Sequence, residues 1–248
     1  MKVTLVIPVL NEEQQLETSI RRLLNPGVMG WPQDMDFVIA DNGSTDRTPE
    51  IAARLAAEFD SIRVFRLEER GRGRALKAAW ASSDADILAY MDVDLSTDLR
   101  HFPELIQPLI SGEADIAIGS RLLPQSQVDR GWRREFISRT YNGIARLMTG
   151  TGISDLQCGF KAINQAAARQ VLPKVRDISW FFDSEFLIIA ESMGLKIHEV
   201  PVAWQDDPDS RVRLVKTAWD DLKGLARVRA ALRRGDYSPT RNARLQPA

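Results

Sequence analysis

The sequence predicts an α/β fold: a doubly wound, mostly parallel sheet with helices on both faces. Two observations lead there. Short apolar, β-branched runs alternate with helical patterns in the order β-α-β-α-β-α-β up to the run Ile87–Met91, which calls for parallel strands joined by right-handed crossovers. Loops rich in Asp, Asn, Gly and Arg follow successive runs, where an open α/β sheet gathers its ligand residues.

Val3–Ile7 reads as the first strand. Pro8 and Asn-Glu-Glu end it, so it is not the apolar core of a signal peptide. A helix follows from about Glu12 to Leu24, with Leu16, Ile20, Leu23 and Leu24 on one face and Asn11 as its N-cap. Phe37–Ala40 is the second strand, and Thr48–Phe59 the second helix with Pro49 in its first turn. Ile62–Leu67 is the third strand, and Gly71-Arg-Gly-Arg74 opens a helix running to Ala81. Ile87–Met91 is the fourth strand and Ala114–Gly119 the fifth.

Beyond residue 120 the pattern changes. Gly131–Met148 is a basic amphipathic helix, and Ser154–Ile163 is irregular or strand-like. Gln165–Leu172 and Phe182–Met193 are helical, Lys196–Trp204 is a late strand, and Val212–Arg234 is a final amphipathic helix. No internal repeat or linker divides the chain. Residues 1–234 are expected to form one domain, with 1–121 as a nucleotide-binding half, 122–234 as a second half, and a disordered polar tail over 235–248.

The 248 residues are 44% apolar and 27% charged with a net charge of −1, an ordinary globular composition without the basic excess of a nucleic-acid binder. One cysteine, Cys158, rules out an internal disulfide framework. No stretch approaches the ~20 apolar residues of a membrane-spanning helix.

The chemistry gathers around Asp92-Val-Asp94. If extended geometry continues past Met91, alternation puts both carboxylates on one face at the strand's carboxyl end. Such a pair suits a hard divalent cation, Mg²⁺ or Mn²⁺, with diphosphate oxygens completing its shell. The neighbouring loops are Pro8-Val-Leu-Asn-Glu12, Asp41-Asn-Gly-Ser-Thr-Asp46, Arg70-Gly-Arg-Gly-Arg74 and Gly119-Ser-Arg121. The Gly-rich fingerprint of a nicotinamide site after the first strand is absent.

Together these loops resemble family 2 of the inverting glycosyltransferases, over residues 3 to about 215. Trp132-Arg-Arg-Glu-Phe-Ile-Ser-Arg139, Asp155-Leu-Gln-Cys-Gly-Phe-Lys161, Phe182-Asp-Ser-Glu-Phe-Leu187, Glu199-Val-Pro-Val-Ala-Trp204 and Asp209-Ser-Arg211 narrow the resemblance to polyprenyl-phosphate sugar synthases. Their wording is closest to dolichyl-phosphate glucosyltransferases, with the mannosyltransferases next.

The resemblance implies a glycosyltransferase-A fold and a set of roles. Pro8, Leu10 and Glu12 would line the nucleotide pocket, and Asp41 would bind the base. Arg72, where the family usually has lysine, would meet the diphosphate. Asp92 and Asp94 would hold the metal, with Asp92 also on the nucleotide sugar. Asp94 and Arg121 would act in catalysis. Arg121, Arg134, Ser138, Ser210 and Arg211 would bind an acceptor phosphate; Arg134 and Ser138 lie four apart and so share a helix side. Asp155, Gln157, Asp183 and Glu185 would contact the sugar or order loops.

The implied reaction moves a hexose, best matched by glucose from UDP-glucose, onto the phosphate of a polyprenyl or dolichyl lipid. A phosphate monoester, with a second pKa of ~6, is already largely dianionic at neutral pH and needs no strong base. His101 and His198 belong to no motif and read as structural. A GDP-mannose or UDP-N-acetylhexosamine donor remains open, as does a non-catalytic scaffold. A lipid acceptor also implies a peripheral position on the cytoplasmic face of a membrane through the basic amphipathic segments, alone or with a separate membrane partner.

Overall fold

The computed structural model describes residues 1–25, 31, 32, 34–206 and 214–237. Seven strands form one sheet: β1 (Val3–Val9), β2 (Met35–Asn42), β3 (Ile62–Leu67), β4 (Ile87–Met91), β5 (Ile116–Ser120), β7 (Phe160–Asn164) and β8 (Ile197–Pro201). Their order across the sheet is β3-β2-β1-β4-β7-β5-β8. β1 pairs in parallel with β2 and β4, and every residue of its apolar run is buried, as expected of a central parallel strand. β3 is the edge, and it exposes Arg63.

Two cores lie on the two sheet faces, and strand alternation sorts residues between them. On one face α1 (Leu16–Leu23), α2 (Thr48–Glu58) and α4 (Phe102–Ile110) cover Leu5, Ile7, Ala89 and Met91. On the other, α3 (Arg72–Ala81), α5 (Trp132–Thr149), α6 (Gln165–Val171), α7 (Phe182–Ser192) and α8 (Leu214–Arg234) cover Val6, Leu88 and Tyr90. This is a doubly wound, mostly parallel α/β sheet.

The departures from sequence expectation are local. Asn11 is not an N-cap: it sits at φ +58, and α1 starts only at Leu16. Its carboxamide instead accepts the Thr45 N–H at 2.8 Å, tying the first crevice loop to the second. α4 has no counterpart in the pattern read from sequence. Pro103 lies in its first turn, where no N–H partner is lost. The stretch Ser154–Ile163 resolves into a loop and β7, which runs antiparallel to both β4 and β5. Lys196–Trp204 is two strands: β8 in the main sheet, and β9 (Ala203–Gln205), which pairs with a short β6 (Gln127–Asp129). Of the tail, residues 235–237 form a turn with Tyr237 buried, and 238–248 lie outside the described residues.

α8 buries Leu225 and Val228 against the body and carries one acid inward. Asp221 is 2% exposed; its Oδ2 accepts Gln157 Nε2 at 2.8 Å, and its Oδ1 has no hydrogen-bond partner among the described residues. Burial pushes this carboxyl up to about 7, with Asp177, Asp220 and Asp183 adding to the rise and the Gln157 bond opposing it. The folded value thus lies above the ~3.9 of an unfolded chain. Between those values the unfolded chain releases this proton while the folded chain keeps it. The contribution to stability is therefore full below about pH 4 and is lost as pH rises through about 7. Asp221→Asn should raise the melting temperature relative to wild type more at pH 8 than at pH 5. A shift of equal size at both pH values contradicts this assignment.

Candidate active site

The strand carboxyl ends open onto one crevice. β4 ends at Met91, so Asp92 and Asp94 are not brought together by continued extended geometry. A tight turn does it: Leu95 takes φ +50 and its N–H returns to Asp92 O at 3.2 Å. Asp94 Oδ1 accepts Ser96 N–H at 3.0 Å, which fixes that side chain. Both acids border one small hollow with Ser96, Thr97, Gly159 and Trp204. Behind the turn, β9 braces it through Gln205 N–H to Ser96 O and Asp98 N–H to Ala203 O, both at 2.9 Å.

Beneath Asp92 lies a buried chain of charges. Asp92 Oδ1 accepts Arg72 Nη2 at 2.6 Å, and Arg72 Nη1 bonds Asp183. Asp183 Oδ1 also takes Lys161 Nζ at 2.9 Å and the Tyr90 hydroxyl. The Lys161 side chain is fully buried, and that of Asp183 is 5% exposed. Alternation accounts for the meeting: Lys161 on β7 is the register partner of Tyr90 on β4, so both point to the face where α3 and α7 pack. Burial would raise the Asp183 carboxyl, but Lys161, Arg72 and the Tyr90 bond outweigh it and hold it below the usual range. Burial and the Asp183 charge push the Tyr90 hydroxyl well up. Arg72 is enclosed as well as paired, with the Tyr90 and Trp180 rings 5.1 and 5.3 Å from its guanidinium. The structure therefore makes Arg72 the counter-ion of two carboxylates, where the sequence pattern placed it on the diphosphate.

Two glycines are fixed by this arrangement. A Cβ on Gly159 would lie 1.7 Å from Asp92 Oδ2, and Asp92 N–H donates to Gly159 O at 3.1 Å. A Cβ on Gly73 would meet Phe182 Cβ at 2.5 Å, keeping α3 off α7.

On the far side of the D-x-D turn, Arg121 forms a forked pair with Asp155, Nε to Oδ2 at 2.7 Å and Nη2 to Oδ1 at 2.9 Å. Asp155 is fully buried; burial opposes its ionisation, but the Arg121 charge and hydrogen bonds hold it at about 2. Its loop is pinned by Glu199, which accepts Ser154 N–H at 3.1 Å. The Trp204 ring has the guanidinium of Arg121 at 5.5 Å and that of Arg130 at 5.8 Å. Burial drives the Cys158 thiol in the same loop up to about 12, so it is no nucleophile.

The remaining sequence-selected residues fall as follows. Pro8 is buried and Leu10 half-buried at the carboxyl end of β1, whose last residue, Val9, is in register with Asp41. Glu12 lies in the same loop and its N–H donates to Thr48 Oγ1 at 2.7 Å. Asp41 is fully buried; its Oδ1 accepts Ser44 N–H at 3.0 Å, while Oδ2 has no hydrogen-bond partner among the described residues and Arg66 Nε stands 3.4 Å off. Arg134 pairs with Asp206, and Ser138 Oγ is buried without a hydrogen-bond partner among the described residues. Gln157 turns to Asp221 on α8. Glu185 accepts the N–H groups of Arg176 and Asp177 at 3.0 and 2.6 Å and also pairs with Arg227. Ser210 and Arg211 lie outside the described residues. His101 is occupied structurally, with Nδ1 donating to Glu104 at 2.9 Å and Nε2 accepting Ala203 N–H at 3.0 Å. Sequence reasoning missed Tyr90, Trp180 and Arg130. Tyr90 had a signal in its strand parity with Asp92, and Trp180 in its place two residues before the Phe-Asp-Ser-Glu stretch.

This sheet order, with β7 inserted antiparallel and an acid pair at the end of β4, defines a glycosyltransferase-A fold. Glucosyl-3-phosphoglycerate synthase from Mycobacterium tuberculosis, in complex with uridine diphosphate, superposes with a TM-score of 0.69 over 92% of this chain and 80% of that one at 21% identity. The same enzyme with Mn²⁺ and UDP-glucose gives 0.66 over 92% and 78% at 19% identity. The model described as Glycosyl transferase family 2 matches residues 4–172. The chain belongs to this family and carries a glycosyltransferase domain. Glycosyltransferase AglD of Haloferax volcanii is 40% identical over 218 residues, 87% of this chain and 35% of that protein, so the chain spans about a third of its length. Dolichyl-phosphate beta-glucosyltransferases of Trichomonas vaginalis and Mus musculus are each 29% identical, over 92% and 85% of this chain and 72% and 69% of theirs.

Gly159→Ala should push a methyl group into the Asp92 carboxylate. We expect a stability cost of about 1–3 kcal/mol and a loss of turnover on the order of 10²-fold. Unchanged turnover would show that the position of Asp92 does not matter.

Proposed function

We propose that the protein transfers glucose from UDP-glucose, with inversion, to the phosphate of a polyprenyl or dolichyl lipid. The observation that carries this reading is a crevice with developed charge stabilisation in which, among the described residues, the acids next to the D-x-D turn and His101 are already engaged. The described acids beneath Asp92 are already compensated by Arg72 and Lys161, and His101 is committed to Glu104 and Ala203. Such a site suits a nucleophile that arrives ionised, and a phosphate monoester does. The names of the dolichyl-phosphate glucosyltransferase relatives support the same reaction.

On the donor side, Asp41 Oδ2 is a buried acceptor with room in its bonding for the imide N–H of uracil. Pro8, Leu10 and Glu12 wall that pocket. Asp92 and Asp94 supply two hard oxygens and no nitrogen or sulfur, which fits Mg²⁺ or Mn²⁺ with its remaining positions on the diphosphate. No group of three or more His, Cys, Asp or Glu able to hold a metal occurs among the described residues. When bound, the cation neutralises charge developing on the leaving diphosphate. Asp94, locked by Ser96 N–H, and Asp92, locked by Arg72, hold the donor end in place.

On the acceptor side, Arg121 stays cationic beside the turn, and Arg134 with the hydroxyl of Ser138, unpartnered among the described residues, offers a second phosphate contact; Ser210 and Arg211 would complete it. Electrostatic positioning of the two anions then lets the acceptor oxygen approach the anomeric carbon opposite the leaving diphosphate. Asp155, Gln157, Asp183 and Glu185 act as ordering residues.

No described helix is long and apolar enough to cross a membrane. The protein reaches its lipid from the cytoplasmic surface through α5, where Trp132, Phe136 and Ile137 are exposed next to Arg133 and Arg139. α8 contributes less, because Leu225 and Val228 are packed on the body, which leaves Trp219 as its exposed large apolar side chain among the described residues.

The test is nucleoside diphosphate release with Mg²⁺, with and without polyprenyl phosphate, across UDP-glucose, UDP-N-acetylhexosamines and GDP-mannose. We expect release that requires the lipid and is fastest with UDP-glucose. Asp94→Asn should lower it by at least about 10²-fold. With the lipid in anionic vesicles, Trp132→Ala/Phe136→Ala should lose turnover that it keeps in detergent. Lipid-independent release would refute the acceptor assignment, and no release with any donor would favour a non-catalytic scaffold.

A further inference from the structure

Trp180 is a large apolar side chain held in the open beside the reacting centre. The two residues after it, Phe181 and Phe182, are 2% and 0% exposed in the core, while Trp180 is 46% exposed. An exposed Trp on a mobile loop would mean little. This segment is tied down at several points. Glu185 accepts the N–H groups of Arg176 and Asp177, Asp177 Oδ1 accepts Ser179 N–H at 2.7 Å, and Ile178 O accepts Arg74 N–H at 3.2 Å. Gly71 lacks the Cβ that would come within 2.5 Å of Ile178 O, so the segment lies close on the start of α3.

The ring is also placed. The guanidinium that covers it at 5.3 Å is that of Arg72, whose Nη2 is 2.6 Å from Asp92 Oδ1. Indole and D-x-D carboxylate are therefore neighbours of the same guanidinium. On the donor reading, a hexose on a diphosphate at Asp92 and Asp94 would lie beside Arg72, the residue that the indole also contacts.

We infer that the indole of Trp180 is the stacking platform for the transferred hexose of the donor, and that it selects for the sugar as the Asp41 pocket does for the base. This inference rests on the donor reading given above. A hexopyranose with equatorial hydroxyls presents axial C–H groups on its faces. Laid on an indole, it buries apolar area on a rigid surface and leaves its hydroxyl rim to polar partners. An epimer with an axial hydroxyl directed at the ring loses that contact, so the platform favours glucose over such epimers. Because the loop is tied down by its own hydrogen bonds, little ordering cost falls on binding.

The experiment compares wild type with Trp180→Ala and Trp180→Leu; the leucine keeps an apolar side chain and removes the aromatic face. Calorimetric binding of UDP and of UDP-glucose, each with Mn²⁺, is measured beside donor and lipid kinetics. We expect both variants to bind UDP within about twofold of wild type. Both should lose the added affinity of UDP-glucose over UDP, raise the donor KM by about tenfold or more, and narrow the preference for UDP-glucose over its epimers. Equal UDP-glucose affinity in wild type and both variants overturns the platform. So does a rise confined to the KM for polyprenyl phosphate, which would give the ring to the lipid. Failure of wild type itself to bind UDP would strike the donor reading, a result separate from either of these.

Discussion

The site depends on a buried ion chain. Lys161, Asp183, Arg72 and Asp92 alternate in charge, from a fully buried ammonium to a carboxylate 41% exposed at the crevice. Taking such groups out of water costs several kcal/mol per ion, and removing one partner strands the next. Each link is therefore held from both sides: Lys161 by Asp183 and the Tyr90 hydroxyl, Asp183 by Lys161 and Arg72, Arg72 by two acids and two rings. The outcome is a D-x-D carboxylate whose position is set by β7, α3 and α7 together. The close approaches at Gly73 and Gly159 follow from the same constraint, since a side chain at either would part elements that the ion chain joins.

A second, separate pair balances the first. Arg121 and Asp155 sit across the D-x-D turn, with the Arg121 guanidinium over the ring of Trp204 on β9, the strand that braces the turn. One flank of the crevice is thus ordered through negative charge held by Arg72, and the other through positive charge held by Asp155. On the proposed reading, a donor diphosphate with its cation and an anionic acceptor would need such a division, because two anions would approach one another over a small distance.

The sheet and its ligand edge were legible because they are local. β1 and β4 are continuous apolar runs, and the polar loops after β1, β2 and β4 announce the crevice directly. The D-x-D pair was legible too, though the turn at Leu95, rather than strand alternation, brings its acids together. What stayed hidden depends on distant partners. The sequence leaves Ser154–Ile163 irregular or strand-like and says nothing of the antiparallel insertion of β7 between β4 and β5, and that insertion is what delivers Lys161 to Asp183. Arg72 reads from sequence as a phosphate ligand because its partners, Asp92 and Asp183, are 20 and 111 positions away. Trp180 carries no local mark of exposure, since its neighbours Phe181 and Phe182 are core residues.

The central claim is that the buried chain of charges sets the working position of Asp92, and it is tested most directly at its middle link. Mn²⁺ affinity would be measured in the presence of UDP for wild type and Asp183→Asn, with the melting temperature of each recorded. The account predicts an affinity about 10–100-fold weaker in the variant, together with a lower melting temperature. A variant that melts lower yet binds Mn²⁺ as tightly as wild type would contradict it, leaving the ion chain as a support of the fold with no hold on the site.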